Sequence, residues 1–252
     1  MVVQYPIVKQ FTEQVTKRCS YAMFDRHGGV SRGVYGSLNV GEHVGDLVQA
    51  VQENRERVRA NLDVAHILSA RQVHDTGIYC LTEPLTGSRE VDGFDALITD
   101  RPDVGLMIQQ ADCQAVLLFD PVRQVIAAVH CGWRGSVQGI LPQVLQVMGA
   151  NYATVPADVQ AVISPSLGPC CAEFVNYRRE LPPEFEQFMV RKNYFDFWRI
   201  SRHQLINAGM SDERIESANM CTCCSDDYFS YRRATRLHNG LTGRNCSVIA
   251  LK

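Results

Sequence analysis

A chain of 252 residues that is 46% hydrophobic and 21% charged has enough apolar material for a packed core, which excludes a disordered tail or a fibrous repeat. Lys plus Arg number 25 against 27 Asp plus Glu, and the net charge of −2 argues against a nucleic-acid polymer or an anionic membrane surface as partner. The longest apolar runs, such as residues 115–119 and 125–129, fall far short of the roughly 20 residues a membrane helix needs.

Gln4, Lys9, Glu13, Lys17 and Arg18 interrupt every apolar stretch near the N-terminus, so no secretory signal is expected and the protein reads as cytoplasmic. The first forty residues mix short β-like runs with a glycine-rich loop, Gly28, Gly29, Val30, Ser31, Arg32 and Gly33. The glycines suit a phosphate cradle but lack the GxxxxGK[ST] spacing, and turn chemistry accounts for them. Ser37 and Asn39, just beyond, are the candidate substrate contacts there. With Asp46 as N-cap, Leu47, Val48, Val51, Val58 and Leu62 recur at helical spacing among Glu53, Arg55, Glu56 and Arg57.

The middle of the chain reads as strands over 72–81, 104–109, 113–119 and 124–130, rich in Val, Ile and Leu and bounded by turn residues. A turn at 132–135 leads to a second amphipathic helix carrying Val137, Ile140, Leu141, Val144, Leu145 and Met148. A strand is expected at 159–163, helix through 182–209, and a final strand at 246–251. No repeat, low-complexity tract or linker divides these elements, so one mixed α and β domain over 1–252 is expected.

Ten cysteines are many for a cytoplasmic chain, but one of this size has core enough to do without disulfide staples. Cys170 with Cys171, and Cys221 with Cys223 and Cys224, do not show the paired CxxC spacing of a structural zinc site. They read as small hydrophobes beside tight turns, with a metal or redox role as the alternative. Of the seven histidines, His74 falls inside the strand predicted at 72–81, and His130 ends a strand at the Gly132-Trp133-Arg134-Gly135 turn. Cys113 opens another strand. Imidazole and thiolate together suit zinc, and three ligands with an open position mark a catalytic site. The spacings, 39 (113 − 74) and 17 (130 − 113), form no zinc motif by themselves, and isolated His and Cys are commonly core or surface residues. Asp112 would point to the opposite strand face from Cys113 and reads as a structural hydrogen-bonding residue. Arg134, Arg232 and Arg233 read as salt-bridging or carbonyl-capping arginines, and Trp133 as a packing residue.

The strings GGVSRGVYGSLNVGEHVGD, ENRERV, RQVH, ADCQAVLLFDP, HCGWRG, GPCC and CTCCSDDYFSYRR followed by TGR resemble the laccase-domain family. Its bacterial members, first called polyphenol oxidases, are described as multifunctional purine nucleoside phosphorylases. The blocks run in order from about Gly28 to Leu251. The resemblance implies an α+β fold, a layered sandwich of mixed β-sheets flanked by helices. It implies that His74, Cys113 and His130 are metal ligands, for zinc or alternatively copper, and that Arg55 of the ENR block helps hold an anionic co-substrate. Arg55 is therefore expected to face the metal pocket despite its charge-rich helix. The implied activity is zinc-dependent phosphorolysis of adenosine, inosine and methylthioadenosine, with adenosine deamination as a side activity, the partners being purine nucleosides and phosphate and the assembly a monomer or homodimer.

Three positions depart from the family pattern: Asp75 after the QVH block, Cys131 before GWRG, and Ala172 after the Cys pair. None removes a ligand, so they bear on substrate preference. One rival is a cysteine hydrolase or amidase, with Cys113 as nucleophile and His130 as base, of the kind linked to peptidoglycan editing. Another is a copper-binding polyphenol oxidase, although seven histidines are too few for a true multicopper oxidase.

Overall fold

Apolar runs in which every residue is buried need cover on both sides, and two such runs, β7 (Gln114–Asp120) and β8 (Val125–Cys131), form the centre of the molecule. The computed structural model describes residues 18–252, so Gln4, Lys9, Glu13 and Lys17, on which the absence of a signal was argued, lie outside the described residues. β7 and β8 pair antiparallel in a six-stranded sheet with β3 (Ile78–Leu81), β5 (Ala96–Thr99), β9 (Gln160–Ile163) and β12 (Ile215–Ser217), in the order β12-β9-β7-β8-β5-β3. A second, five-stranded sheet runs β1-β13-β6-β2-β4, from β1 (Cys19–Phe24), β2 (His66–Arg71), β4 (Arg89–Asp92), β6 (Val104–Gln110) and β13 (Asn245–Leu251). Both sheets are mixed: β13 is antiparallel to its two neighbours, whereas β2 is parallel to β4 and β6.

Alternation along β7 separates two cores. Ala115, Leu117 and Phe119 face the five-stranded sheet and meet Leu68, Leu106, Ile108 and Ile249. Val116 and Leu118 face the other way, onto Ile140, Leu141, Val144 and Met148 of α3 (Ile140–Tyr152). The outer face of the five-stranded sheet is covered by Val58 and Leu62 of α1 (Val48–Leu62), against Phe24, Met107 and Val248. The layers are thus helix, sheet, sheet, helix, the α+β sandwich expected. α5 (Phe197–Asn207) joins the α3 side through Leu205, and an aromatic cluster of Phe185, Phe188, Phe195 and Phe197 closes over Ala172.

Several boundaries differ from expectation. The strand predicted at 72–81 is shorter and begins only at Ile78: the preceding strand leaves the first sheet at Arg71, and residues 72–77 turn through His74 before the chain enters the second sheet. Asp46 is not the N-cap of α1; Leu47 is, and the Asp46 carboxylate accepts instead from Ser31 Oγ (2.6 Å) and Asn39 Nδ2 (2.9 Å), closing the glycine loop. The expected turn at 132–135 is already helical, in α2 (Trp133–Gln138), and Gly139, at φ 72°, kinks the chain into α3. Residues 182–209 are not one helical region. A hairpin of β10 (Met189–Arg191) and β11 (Tyr194–Phe195) intervenes before α5, whose N-cap Asp196 accepts from Arg199 N at 3.1 Å. Two short helices, α4 (Tyr177–Glu180) and α6 (Tyr231–Leu237), complete the α-helices of the described residues.

Candidate metal centre and its cavity

The C-terminal ends of β2 and β8 and the N-terminal ends of β5 and β7 meet at one end of the sandwich. In the β7–β8 register Ala115 is opposite His130, and in the β5–β8 register Ala96 is opposite Val129, so Cys113, His130 and Asp95 become neighbours. The turn after β2 supplies His74. The donor atoms of His74, Cys113 and His130 all lie within 4.8 Å of one another, and the two imidazoles stand edge to face with centroids 4.9 Å apart.

Asp95, which sequence reasoning missed, organises two of these groups. It is fully buried, and its Oδ1 accepts from His130 Nδ1 (2.7 Å) and His74 N (3.0 Å) while its Oδ2 accepts from Val73 N (3.2 Å) and Asp75 N (2.9 Å). Three consecutive amides converge on one carboxylate only if the backbone curls, and His74 sits at φ 63°, a left-handed conformation uncommon for a residue with a side chain. This is why His74 lies in a turn and not in the strand predicted for it. With Nδ1 of His130 committed to Asp95, its Nε2 is the nitrogen left for the centre. Gly132 lies against the same cluster: a Cβ there would stand 3.1 Å from Cys113 Sγ and 3.4 Å from His74 Cδ2.

Electrostatics set the cluster up as a thiolate–imidazolium pair, from which a metal would displace the His130 proton. Burial pushes the Cys113 thiol up, but the His130 charge and hydrogen bonds from both imidazoles outweigh it and bring the pKa down to about 6. Burial pulls His130 down, yet the Cys113 thiolate and Asp95 carry it up to about 9. A thiolate flanked by two nitrogens, close enough for one ion to reach all three with bonds of about 2.0–2.3 Å, suits zinc or copper and leaves a coordination position facing the cavity.

That cavity has a volume of about 880 Å³, with His74, Cys113 and His130 in its lining. Cations crowd its wall. Arg244 is the one best placed to meet an anion: its Nη1 caps the carbonyls of Thr242 (3.2 Å) and Gly243 (3.1 Å), and no carboxylate pairs with it among the described residues. Burial lowers its pKa, and the negative Cys113 works against that shift. Arg134 lies over the Trp133 ring at 5.1 Å, and Trp133, Phe174 and Tyr231 supply aromatic surface. Arg232 reaches the wall while capping the carbonyls of Cys171 (3.0 Å) and Glu173 (3.3 Å), and Arg233 caps those of Thr222, Cys223, Ser225 and Tyr228, the capping role expected of both.

Asp112 is the structural residue foreseen. Its carboxylate accepts from Thr222 Oγ1 (2.7 Å) and Arg232 N (2.6 Å), and its carbonyl accepts from Leu167 N (2.8 Å).

Arg55 is not brought to the cavity wall, contrary to the expectation that it faces the metal pocket. It does turn inward, with a side chain only 14% exposed, but its guanidinium is already engaged by Val40 O (2.8 Å), Ser69 Oγ (3.3 Å), Glu42 Oε1 (2.7 Å) and Glu90 Oε2 (2.8 Å). Its partner Glu90 lines the cavity, so Arg55 acts behind the wall. Ser37 and Asn39 are likewise not at the cavity. Ser37 Oγ accepts from Gly29 N (3.1 Å) and donates to Arg26 O (3.0 Å), and buried Asn39 accepts from Gly41 N (3.0 Å) and Arg244 N (2.8 Å). Asn54, beside Arg55, fills the loop from below through Val30 N, Ser31 Oγ and the carbonyls of Ser37 and Asn39. The loop is therefore a braced structural turn that fixes the backbone of Arg244. Of the positions departing from the family pattern, Cys131 is buried against Ser136 Oγ (3.3 Å), Ala172 is buried among the aromatic cluster, and Asp75 engages Asp95 through its backbone.

Fold and site together define a family. Residues 20–252 match the model described as multi-copper polyphenol oxidoreductase laccase, and the chain belongs to that family. It is 34% identical over 234 residues to purine nucleoside phosphorylase ORF3 of Streptomyces griseus, covering 90% of this chain and 94% of that one. It is 32% identical over 237 residues to purine nucleoside phosphorylase YfiH of Escherichia coli K12, covering 90% and 91%. Among solved structures, the hypothetical protein YfiH of Bacillus licheniformis superposes with a TM-score of 0.85 at 31% identity over 95% of both chains. YlmD of Geobacillus stearothermophilus does so with a TM-score of 0.82 at 29% identity over 93% and 92%. Among the described residues, no helix is long and apolar enough to cross a membrane.

Proposed function

We propose that this protein is a zinc-dependent purine nucleoside phosphorylase acting on adenosine, inosine and methylthioadenosine, with adenosine deamination as a second activity. One observation carries the reading: an N, S, N donor set opens onto a cavity that also presents a half-buried guanidinium and aromatic faces, in a chain whose relatives bear the phosphorylase name. His74, Cys113 and His130 would hold the zinc, which when bound supplies a Lewis acid that polarises an oxygen ligand.

The chain's own residues do the rest. A cavity of about 880 Å³ accommodates a nucleoside with a phosphate beside it. Trp133, Phe174 and Tyr231 offer faces for a purine. The free part of the Arg244 fork offers donors for phosphate oxygens and holds the nucleophile near the anomeric carbon, a role assigned here in place of Arg55. Asp95 fixes the tautomer of His130 by accepting from Nδ1. The Cys113–His130 pair would also serve a cysteine hydrolase, but His74, turned toward the same thiolate at a strained backbone angle, supports ligation over nucleophilic attack. The ten free cysteines support a reducing, cytoplasmic setting.

The test is to incubate zinc-loaded protein with inosine, with and without phosphate. Hypoxanthine release should require phosphate and yield ribose 1-phosphate in equal amount, while adenosine should give inosine without phosphate. His130→Ala should remove both activities. Purine release indifferent to phosphate would mark a hydrolase, and full activity in metal-free protein would remove zinc from the mechanism.

A further inference from the structure

A second convergence of sulfur lies outside the cavity. Cys170 and Cys171 stand in the turn that follows β9 and its extension, and Cys221 and Cys224 in the turn after β12; their four Sγ atoms lie within 4.8 Å of one another. Cys224 Sγ is 3.5 Å from that of Cys170 and 3.4 Å from that of Cys171. Four bonds of about 2.3 Å in a tetrahedron place sulfurs about 3.8 Å apart, whereas a disulfide closes to about 2.05 Å. The observed spacing is that of ligands around a shared ion, and all four cysteines are free.

The backbone is built to keep them together. An isolated bridge joins Ser166 to Cys221, with Ser166 N donating to Met220 O (3.1 Å) and Thr222 N to Ser166 O (3.0 Å). Gly168 approaches so closely that a Cβ there would stand 2.9 Å from Cys221 Cβ, and its N–H donates to Cys221 Sγ at 3.3 Å. Arg191 caps the Cys170 carbonyl (3.1 Å), and Arg233 caps those of Thr222 (2.9 Å) and Cys223 (3.1 Å). Despite its burial, Cys221 is held below the usual thiol range by amide donors, while burial and neighbouring sulfurs push Cys170 up to about 11. Among the described residues no carboxylate or imidazole joins the set, and all-sulfur ligation selects soft or borderline ions over magnesium and calcium.

We infer that Cys170, Cys171, Cys221 and Cys224 bind zinc in a closed four-sulfur structural site, separate from the His74, Cys113 and His130 centre. The sequence hid it because only one of the two pairs has CxxC spacing; the other is adjacent, and 50 residues (221 − 171) separate them. The site staples two segments that both reach the cavity wall. Asp112, next to Cys113, is gripped by Leu167 from the first and Thr222 from the second, and Arg232 reaches the wall while donating to Cys171 O.

The experiment is a zinc count by elemental mass spectrometry on protein purified without chelator. A Cys113→Ala/His130→Ala variant, emptied of the first centre, should retain one zinc per chain, and its X-ray absorption should show four sulfurs at about 2.3 Å. Adding Cys170→Ser and Cys224→Ser, both at exposed positions, should reduce the count to none. Should the first variant fail to fold, cobalt loading of the otherwise unaltered chain gives the same discrimination. The charge-transfer bands of a tetrathiolate site should appear and be lost in Cys224→Ser alone. A Cys113→Ala/His130→Ala protein that folds without zinc, a count unmoved by the serine substitutions, or a Cys170–Cys224 disulfide in freshly purified protein would overturn the inference. None of these readings depends on whether the protein cleaves nucleosides.

Discussion

Asp95→Asn isolates what one carboxylate does for the centre. The substitution keeps the shape and replaces one oxygen by an NH2 group. If the remaining oxygen stays on His130 Nδ1 and His74 N, the new amide faces the N–H groups of Val73 and Asp75, which now sit at 3.2 and 2.9 Å from a donor. Two part-buried donors losing their acceptor cost at most roughly 1–3 kcal/mol each, so up to about 2–6 kcal/mol in all, against the roughly 5–15 kcal/mol that keeps a domain folded. At roughly 2–4 °C per kcal/mol for a domain of this size, the Tm of metal-free protein should fall by about 5–20 °C. The His74 turn should also relax from its left-handed angle, and zinc affinity should drop roughly 10–100-fold, as for other groups that orient a ligand. Thermal melts followed by circular dichroism measure the first quantity, and competition with a chromophoric chelator the second. A Tm within about 1 °C of the parent together with unchanged zinc affinity would refute the argument that Asp95 both curls the turn and orients His130.

Three further outcomes are expected. Arg244→Ala should raise the KM for phosphate by roughly tenfold or more, since a charge-assisted contact is worth about 1.5–3 kcal/mol, while Arg55→Lys should leave that KM nearly unchanged and lower the Tm by loosening Glu42 and Glu90; steady-state kinetics and melts on both variants decide between the two arginines. Gly132→Ala places a methyl 3.1 Å from Cys113 Sγ at a backbone angle any residue tolerates, φ −75°, so a chelator titration should read weaker zinc binding with the metal-free Tm preserved. In metal-free protein the folded pKa of Cys113, about 6, lies below the ordinary thiol value of 9.0. Its thiolate therefore stabilises the fold above the ordinary thiol range and loses that contribution as pH falls through about 6, so peptide-resolved alkylation of Cys113 should have its midpoint near pH 6 and shift upward in His130→Ala.

The sequence carried the layers, the core strands and the three side chains that converge at the cavity, each for a separate reason. Runs such as Val125–Val129 and Ala115–Phe119 are too apolar to be anything but interior strands, and the family blocks singled out His74, Cys113 and His130. What escaped was long-range. The curl at His74 depends on Asp95, 21 residues away, and no local pattern distinguishes a carboxylate that will receive three amides from one that faces water. Arg55 was misplaced because helical spacing fixes the direction of a side chain but not its competitors; Glu42 and Glu90 claim its donors from other parts of the chain. Arg244 lay in the TGR block, yet its exposure to the cavity follows from Asn39 holding its backbone, 205 residues distant. Between Pro182 and Gly209 the buried apolar residues divide, Phe185, Phe188, Phe195, Phe197 and Ile200 into a separate aromatic cluster and Leu205 into the α3 core, and the hairpin that interrupts the helix leaves no periodicity to read.

β13 lies inside the five-stranded sheet, between β1 and β6, although it comes last of the thirteen strands among the described residues. During synthesis the ribosome therefore delivers it after all six strands of the other sheet, which end at residue 217. A nascent chain can close that sheet and bring Cys113 beside His130 while β1 still waits for its neighbour and Arg244 has not emerged. In that interval the edge of β6, with Leu106, Met107 and Ile108, is open to pairing with another chain, so translation pausing or premature release before residue 245 would yield an aggregation-prone intermediate. The order in which the message is read thus separates assembly of the Cys113 and His130 pair from completion of the cavity wall at Arg244.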